Sequence, residues 1–152
     1  CKAVKRIVEN NKDIQIVYPV HLNPAVRETV FEILGNEERI HLTDPIDVED
    51  MHNVMSRSFL VMTDSGGLQE EGPHFGIPVV VLRTETERPE AVEAGTVQVA
   101  GVREEEIYAI VNRLLNDREA YQKMARAVNP YGDGHASERI TEEIIKWGKA
   151  HV

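Results

Sequence analysis

The chain has 152 residues, 41% apolar and 28% charged, values of a globular domain long enough to bury about two-thirds of the surface its unfolded form exposes. A formal net charge of −9 argues against a nucleic-acid surface, which needs clustered Lys and Arg, and no apolar run approaches the roughly 20 residues that cross a bilayer. The single cysteine, Cys1, excludes an internal disulfide framework, leaves a thiolate zinc site without partners and fits a reducing cytoplasm.

CKAVKRIVENN places Ala3, Val4, Ile7 and Val8 at helical spacing, with neither an initiating Met nor the core of a signal peptide. It reads as the inside of a helix, and the expectation is that the chain is the C-terminal part of a longer protein. IQIVYPV (Ile14 to Val20) follows as a strand, and Asn23-Pro24 supplies a cap and a first-turn proline for a helix that Gly35 closes. A short strand at Arg39 to Leu42 precedes a helix over Val48 to Met55, with Asp44 or Asp47 as its cap, and SFLVMT forms the next strand. Beyond a TDSGG turn come a helix over Leu68 to Phe75, the strand PVVVL, a short helix from Pro89 to Ala94 and a brief strand at Thr96 to Val99. Three helices complete the chain: Glu104 to Leu115, Glu119 to Ala127 with Asp117 as cap, and Ser137 to Lys149 with Ser137 as cap.

The alternation of strand and helix, with continuous apolar strands FLVM and PVVVL, predicts strands buried on both faces by crossover helices. The fold class is therefore a doubly wound α/β domain with a mainly parallel, Rossmann-like sheet, and no repeat or linker divides it. Ligands of such sheets bind beyond the carboxyl ends of the strands, near a switch in strand order. TDSGG and LRTETERPE leave two such ends.

A strand, a Ser-Gly-Gly turn and a helix start make a place for an anion. First-turn N–H groups point outward, and the aligned peptide dipoles put roughly half a positive charge there. Ser65 adds a hydroxyl donor, while Gly66 and Gly67 admit close approach and conformations closed to other residues. The competing reading is structural: Asp64-Ser65 caps the helix and the glycines make the turn. The pattern matches neither the Walker loop nor G-x-G-x-x-G.

Glu70 and Glu71 follow within the helix. Either is a dipole partner at a helix start, or one accepts hydrogen bonds from ribose hydroxyls, as acids do in many nucleotide sites. Arg83, Glu85, Glu87 and Arg88 leave the next strand together; an arginine there can grip phosphate in bidentate fashion, or the cluster is a loop of screened ion pairs. NPYGDGHASERI (Asn129 to Ile140) reads as a turn-rich structural connection. None of the six histidines has metal-ligand spacing, and Ser65 has no local base that would make it a hydrolase nucleophile.

YPVHLNP, TDSGGLQEEGPHFGIPVVVLR, TERPEAVEAGT and NPYGDGHASERI, in this order and at these separations, resemble the C-terminal half of the non-hydrolysing UDP-N-acetylglucosamine 2-epimerases, almost from Cys1 to the end. The resemblance implies that residues 1–152 are the UDP-binding C-terminal domain of a two-domain, glycosyltransferase-B type enzyme with its active site between two Rossmann-like halves. It implies interconversion of UDP-N-acetylglucosamine and UDP-N-acetylmannosamine by elimination and re-addition of UDP through 2-acetamidoglucal, in the cytoplasm, without a redox cofactor or metal, by a homodimer. Carried over by position, Ser65, Gly66 and Gly67 match the pyrophosphate-binding residues, Glu71 the ribose-binding acid and Arg88 the arginine of the UDP pocket. His21 resembles a residue near a second, regulatory UDP-N-acetylglucosamine site.

Two positions depart from the family pattern: Ile46 and Met51 stand where a glutamine or leucine and an aromatic residue near the uracil are usual. Methionine can cover a base face, with weaker stacking. The family's acid/base carboxylates and its His-Arg-Arg-Glu segment lie in the N-terminal domain, so this chain alone is expected to bind nucleotide weakly and not to turn over. The alternatives are a glycosyltransferase donor domain, or a nucleotide-sugar-binding module without turnover.

Overall fold

The computed structural model describes residues 1–151, eight helices and five strands in near-regular alternation. Helix α1 (Lys2–Asn10) leads into β1 (Ile16–Pro19), α2 (Pro24–Leu34), β2 (Ile40–Thr43) and α3 (Val48–Ser56). Strand β3 (Val61–Thr63), α4 (Gly66–His74), β4 (Val79–Val81), α5 (Pro89–Ala94) and β5 (Val97–Val99) follow, and α6 (Glu104–Asn116), α7 (Arg118–Ala125) and α8 (Ala136–Ala150) end the fold.

All strand pairs are parallel, in two hydrogen-bonded groups: β1 with β2, and β3-β4-β5 with β4 central. Val79, Val80 and Val81 of β4 are completely buried, worth about 1.5–3 kcal/mol each. Their alternation explains the layers. Val80 points into a core with Ala3 and Ile7 of α1 and Ile107, Val111 and Leu114 of α6, whereas Val79 and Val81 point to the opposite face with Ala91 of α5 and Val97. A third cluster, Val8, Val20, Val30, Leu34 and Ile40, joins α1 and α2 to the first strand pair.

Three caps read from the sequence hold. Asn23 Oδ1 accepts from Ala25 N–H at 3.0 Å, Asp47 Oδ1 from Asp50 N–H at 2.9 Å, and Asp117 Oδ1 from Glu119 and Ala120 N–H. Asp44 instead pairs with Arg27 at 2.7 Å. Ser137 is not a cap: α8 starts at Ala136, and the start is fixed by Arg139, which forks onto both carboxylate oxygens of Asp133 at 2.9 and 2.6 Å. FLVM also departs from expectation. Phe59 is exposed and stacks on Tyr121, and Val61 and Met62 are half-buried, because β3 is an edge of its hydrogen-bonded group. Along α8, Ile140, Ile144, Ile145 and Trp147 are 50–66% exposed, an apolar stripe that the rest of the described chain leaves uncovered.

Candidate functional site

Strand β3 ends at Thr63 and α4 begins at Gly66, so Asp64 and Ser65 alone make the turn. The buried Thr63 directs it, its Oγ1 accepting the Ser65 N–H at 3.0 Å. Helix α4 thus starts two residues earlier than the sequence reading placed it, and the glycines are its first turn. Ser65 stands at the cap position with extended backbone, yet its side chain caps nothing. Among the described residues its exposed hydroxyl and the N–H groups of Gly66, Gly67 and Leu68 have no acceptor. That disposes of the purely structural capping role for Asp64-Ser65.

The expected conformational reason for the two glycines is corrected as well. Positive φ occurs at Gly76, Gly95, Gly101, Gly132 and Gly134, not at Gly66 or Gly67. A Cβ on Gly66 would meet Arg88 Nη2 at 3.8 Å, and one on Gly67 would meet Glu71 Oε1 at 3.8 Å and Ser65 Oγ at 3.9 Å, ordinary contacts with side-chain tips. Gly72, further along α4, is different: a Cβ there would stand 2.5 Å from Val79 Cγ2. Packing of α4 on β4 demands Gly72. At Gly66 and Gly67 the fold demands nothing, and glycine costs a helix about 1 kcal/mol relative to alanine. What the missing side chains provide is unobstructed approach to the amides.

Arg88 reaches this turn through a buried polar tie. Gln69, with no exposed surface, donates from Nε2 to Ser65 O at 3.2 Å and accepts at Oε1 from the Thr86 hydroxyl, which in turn accepts the Arg88 N–H at 3.0 Å. The loop from β4 to α5 is thereby fastened to the first turn of α4. The Arg88 guanidinium lies over Gly66, its Nε donating to Glu70 Oε1 and its Nη1 to Glu87 O at 3.2 Å. The hydrogen bond to Glu70, then that carboxylate's charge, raises the Arg88 pKa still further. Glu71 is engaged separately, its Oε2 lying 3.2 Å from His52 Nε2 of α3. Adjacent acids therefore do different work: Glu70 holds the arginine and Glu71 faces the histidine.

The structure thus brings Ser65, Gly66, Gly67, Glu71 and Arg88 together, as the sequence reading grouped them. His21 belongs to another place. Its Nδ1 accepts the Asn23 N–H at 3.1 Å, and among the described residues no hydrogen bond or ion pair joins it to the group. Arg83 makes a long ion pair with Glu87 at 3.6 Å and remains a half-buried loop residue. Met51 is half-buried on α3 beside His52, and Ile46 is half-buried before that helix.

Gln69, Thr86, His52 and Tyr131 are additions. Gln69 carried a signal, being polar at the inward i, i+3, i+4 positions that it shares with Gly72 and Pro73. Tyr131 comes from the segment read as a connection. Its ring packs on the Val79, Val81, Ala91 and Val97 cluster, and burial, then the charges of Glu90 and Glu70, push its phenol up to about 12. A surface hollow lined by Phe59, Leu114 and Tyr121 lies on the α6–α7 side and takes in none of these residues.

Fold and site together define a Rossmann-like α/β domain with an anion-receptive helix start, a neighbouring guanidinium and an acid one turn on. The sequence model described as UDP-N-acetylglucosamine 2-epimerase matches residues 1–145, and the chain belongs to that family. The UDP-N-acetylglucosamine 2-epimerase of Bacillus subtilis is 54% identical over 144 residues, covering 95% of this chain and 38% of that protein. A Staphylococcus aureus MnaA–UDP co-structure superposes with a TM-score of 0.92 at 49% identity, covering 97% of this chain and 40% of that one. The Neisseria meningitidis UDP-GlcNAc 2-epimerase bound to UDP-GlcNAc gives 0.89 at 40% identity, covering 95% and 39%. The chain therefore spans about two-fifths of the length of the relatives it matches.

Proposed function

We propose that this chain is the UDP-binding, C-terminal half of a non-hydrolysing UDP-N-acetylglucosamine 2-epimerase that interconverts UDP-N-acetylglucosamine and UDP-N-acetylmannosamine. The observation that carries the reading is the convergence of uncapped donors at Ser65 to Leu68 with the Arg88 guanidinium over Gly66. Ser65 Oγ, the amides of Gly66 and Gly67 and Arg88 hold the diphosphate, and Glu71 accepts hydrogen bonds from the ribose. Relatives solved with UDP and with UDP-GlcNAc support it.

The chemistry assigned to this half is stabilisation of a leaving group. As the C2 proton is removed and the C1–O bond breaks, negative charge grows on the UDP oxygen. Donors already aimed at that position lower the barrier, most strongly when a closed cleft excludes water. Re-addition of UDP to 2-acetamidoglucal, with protonation from the other face, completes epimerisation, and the step needs no redox cofactor. The acid/base groups belong to an N-terminal domain outside this chain. The exposed stripe Ile140, Ile144, Ile145 and Trp147 is the kind of apolar surface such a domain would cover. We place the whole protein in the cytoplasm as a homodimer, with His21 near a second nucleotide-sugar site; among the described residues no helix is long and apolar enough to cross a membrane.

The test is titration of the isotopically labelled protein with UDP. The amide resonances of Ser65, Gly66, Gly67 and Leu68 should move together and saturate. Unmoved resonances at millimolar UDP would remove the diphosphate site from this turn.

A further inference from the structure

Two buried side-chain polar atoms among the described residues lack a hydrogen-bond partner, Thr43 Oγ1 and the Tyr131 hydroxyl. An unpartnered buried hydroxyl costs enough that such groups are rare in native folds, and phenylalanine would fill the same space without that cost. Tyr131 is, moreover, held from several sides. Its N–H donates to Asn129 Oδ1 at 3.1 Å, its ring packs on Val79, Val81, Ala91 and Val97, and the Asp133–Arg139 fork anchors the chain just beyond it. Gly132 and Gly134, at φ of 98° and 85°, make the bends that let the loop leave the ring in place. So fixed, the hydroxyl lies among Glu90, Glu70 and Arg88, with Glu90 near enough for a weak interaction but without a hydrogen bond of ordinary geometry to any of them.

Its neighbour Glu70 has one partner, the Nε of Arg88. When Arg88 engages a diphosphate at the start of α4, that carboxylate loses its cation and faces an incoming anion. Two like charges there would oppose binding unless a donor took the place of the guanidinium. We infer that Tyr131 is a positioning residue of the nucleotide site: its hydroxyl donates to Glu70 as Arg88 turns from Glu70 to the diphosphate. The inference rests on the assignment of Arg88 to the diphosphate. It explains why a hydroxyl is held buried without a well-formed hydrogen bond, and it gives the NPYGDG segment a role in binding.

Calorimetric UDP titration of the wild type, Tyr131→Phe, Glu70→Gln and the double variant tests it, with thermal unfolding measured on each. Tyr131→Phe should unfold at the wild-type temperature or above, yet bind UDP about tenfold or more weakly, the loss expected for a hydrogen bond to a charged acceptor. In the Glu70→Gln background, where no carboxylate is stranded, adding Tyr131→Phe should change affinity little. A merely structural tyrosine would instead change affinity equally in both backgrounds, or not at all, and either result overturns the inference while UDP binding by the wild type stands. No binding by the wild type overturns the site assignment and the inference with it. Should Tyr131→Phe fail to fold, the ¹³Cζ resonance of Tyr131 in the wild type decides: it moves on UDP addition if the hydroxyl gains an acceptor, and a fixed resonance overturns the proposal.

Discussion

Arg88 Nη2 lies 3.8 Å from the point where a Cβ would project from Gly66, whereas a Cβ on Gly72, on the buried face of the same helix, would stand 2.5 Å from Val79. Packing thus requires glycine at position 72 and not at position 66. Gly66→Ala should fold normally, gain about 0.5–1 kcal/mol of helix stability and bind UDP about tenfold or more weakly, because a methyl group blocks the amides. Gly72→Ala should lose about 1–3 kcal/mol through overpacking against β4. Denaturant unfolding and UDP calorimetry on both variants separate the two effects; equal destabilisation would remove the distinction.

Glu71 meets His52 and not Arg88, so its carboxylate is free of the Arg88–Glu70 pair. Glu71→Ala should weaken UDP binding about tenfold or more while leaving pyrophosphate binding close to wild type. Calorimetry with the two ligands measures the contrast, and equal losses for both would withdraw the ribose role.

Thr86 is the hub that fastens Arg88 to α4, accepting from Arg88 N–H and donating to buried Gln69. Thr86→Val keeps shape and removes the hydroxyl, stranding the Gln69 oxygen, and should cost about 1–3 kcal/mol of stability. UDP affinity should fall with it, since Arg88 loses its anchor. A variant of wild-type stability would show that the tie contributes nothing.

Of the four tyrosines, Tyr131 is the one pushed up to about 12, by burial first and then by Glu90 and Glu70. A folded-state pKa above the unfolded value of about 10 means that the folded state holds the proton longer. Its contribution to stability is complete below about pH 10 and is lost as pH rises from there through about 12. Ultraviolet titration of tyrosinate should show a last step near pH 12, above those of Tyr18 and Tyr121, which burial also raises, and absent in Tyr131→Phe. A late step persisting in that variant would assign it elsewhere.

Much of this was legible in sequence because it is written in local chemistry. Asn23-Pro24 and Asp117 specify helix starts on their own, and VVV between turn residues specifies a buried strand. The grouping of Ser65, Gly66 and Gly67 was legible for the same reason. The start of α4 was misplaced because glycine's low helix propensity argues against the first turn, whereas the buried Thr63 and Gln69 bonds impose it. FLVM looked doubly buried because periodicity cannot say which strand lies at an edge. Thr86 and Tyr131 were out of reach altogether, since each acts through a partner far along the chain, with which it is juxtaposed by packing of the loops after β4 and α7.

The most direct test of the account is a crystal structure with UDP bound. The β-phosphate should lie within hydrogen-bonding distance, about 3 Å, of the Gly66 and Gly67 amides, with Arg88 on the diphosphate and Glu71 on the ribose. UDP seated elsewhere, with the Gly66 and Gly67 amides facing solvent or another protein segment, would contradict it.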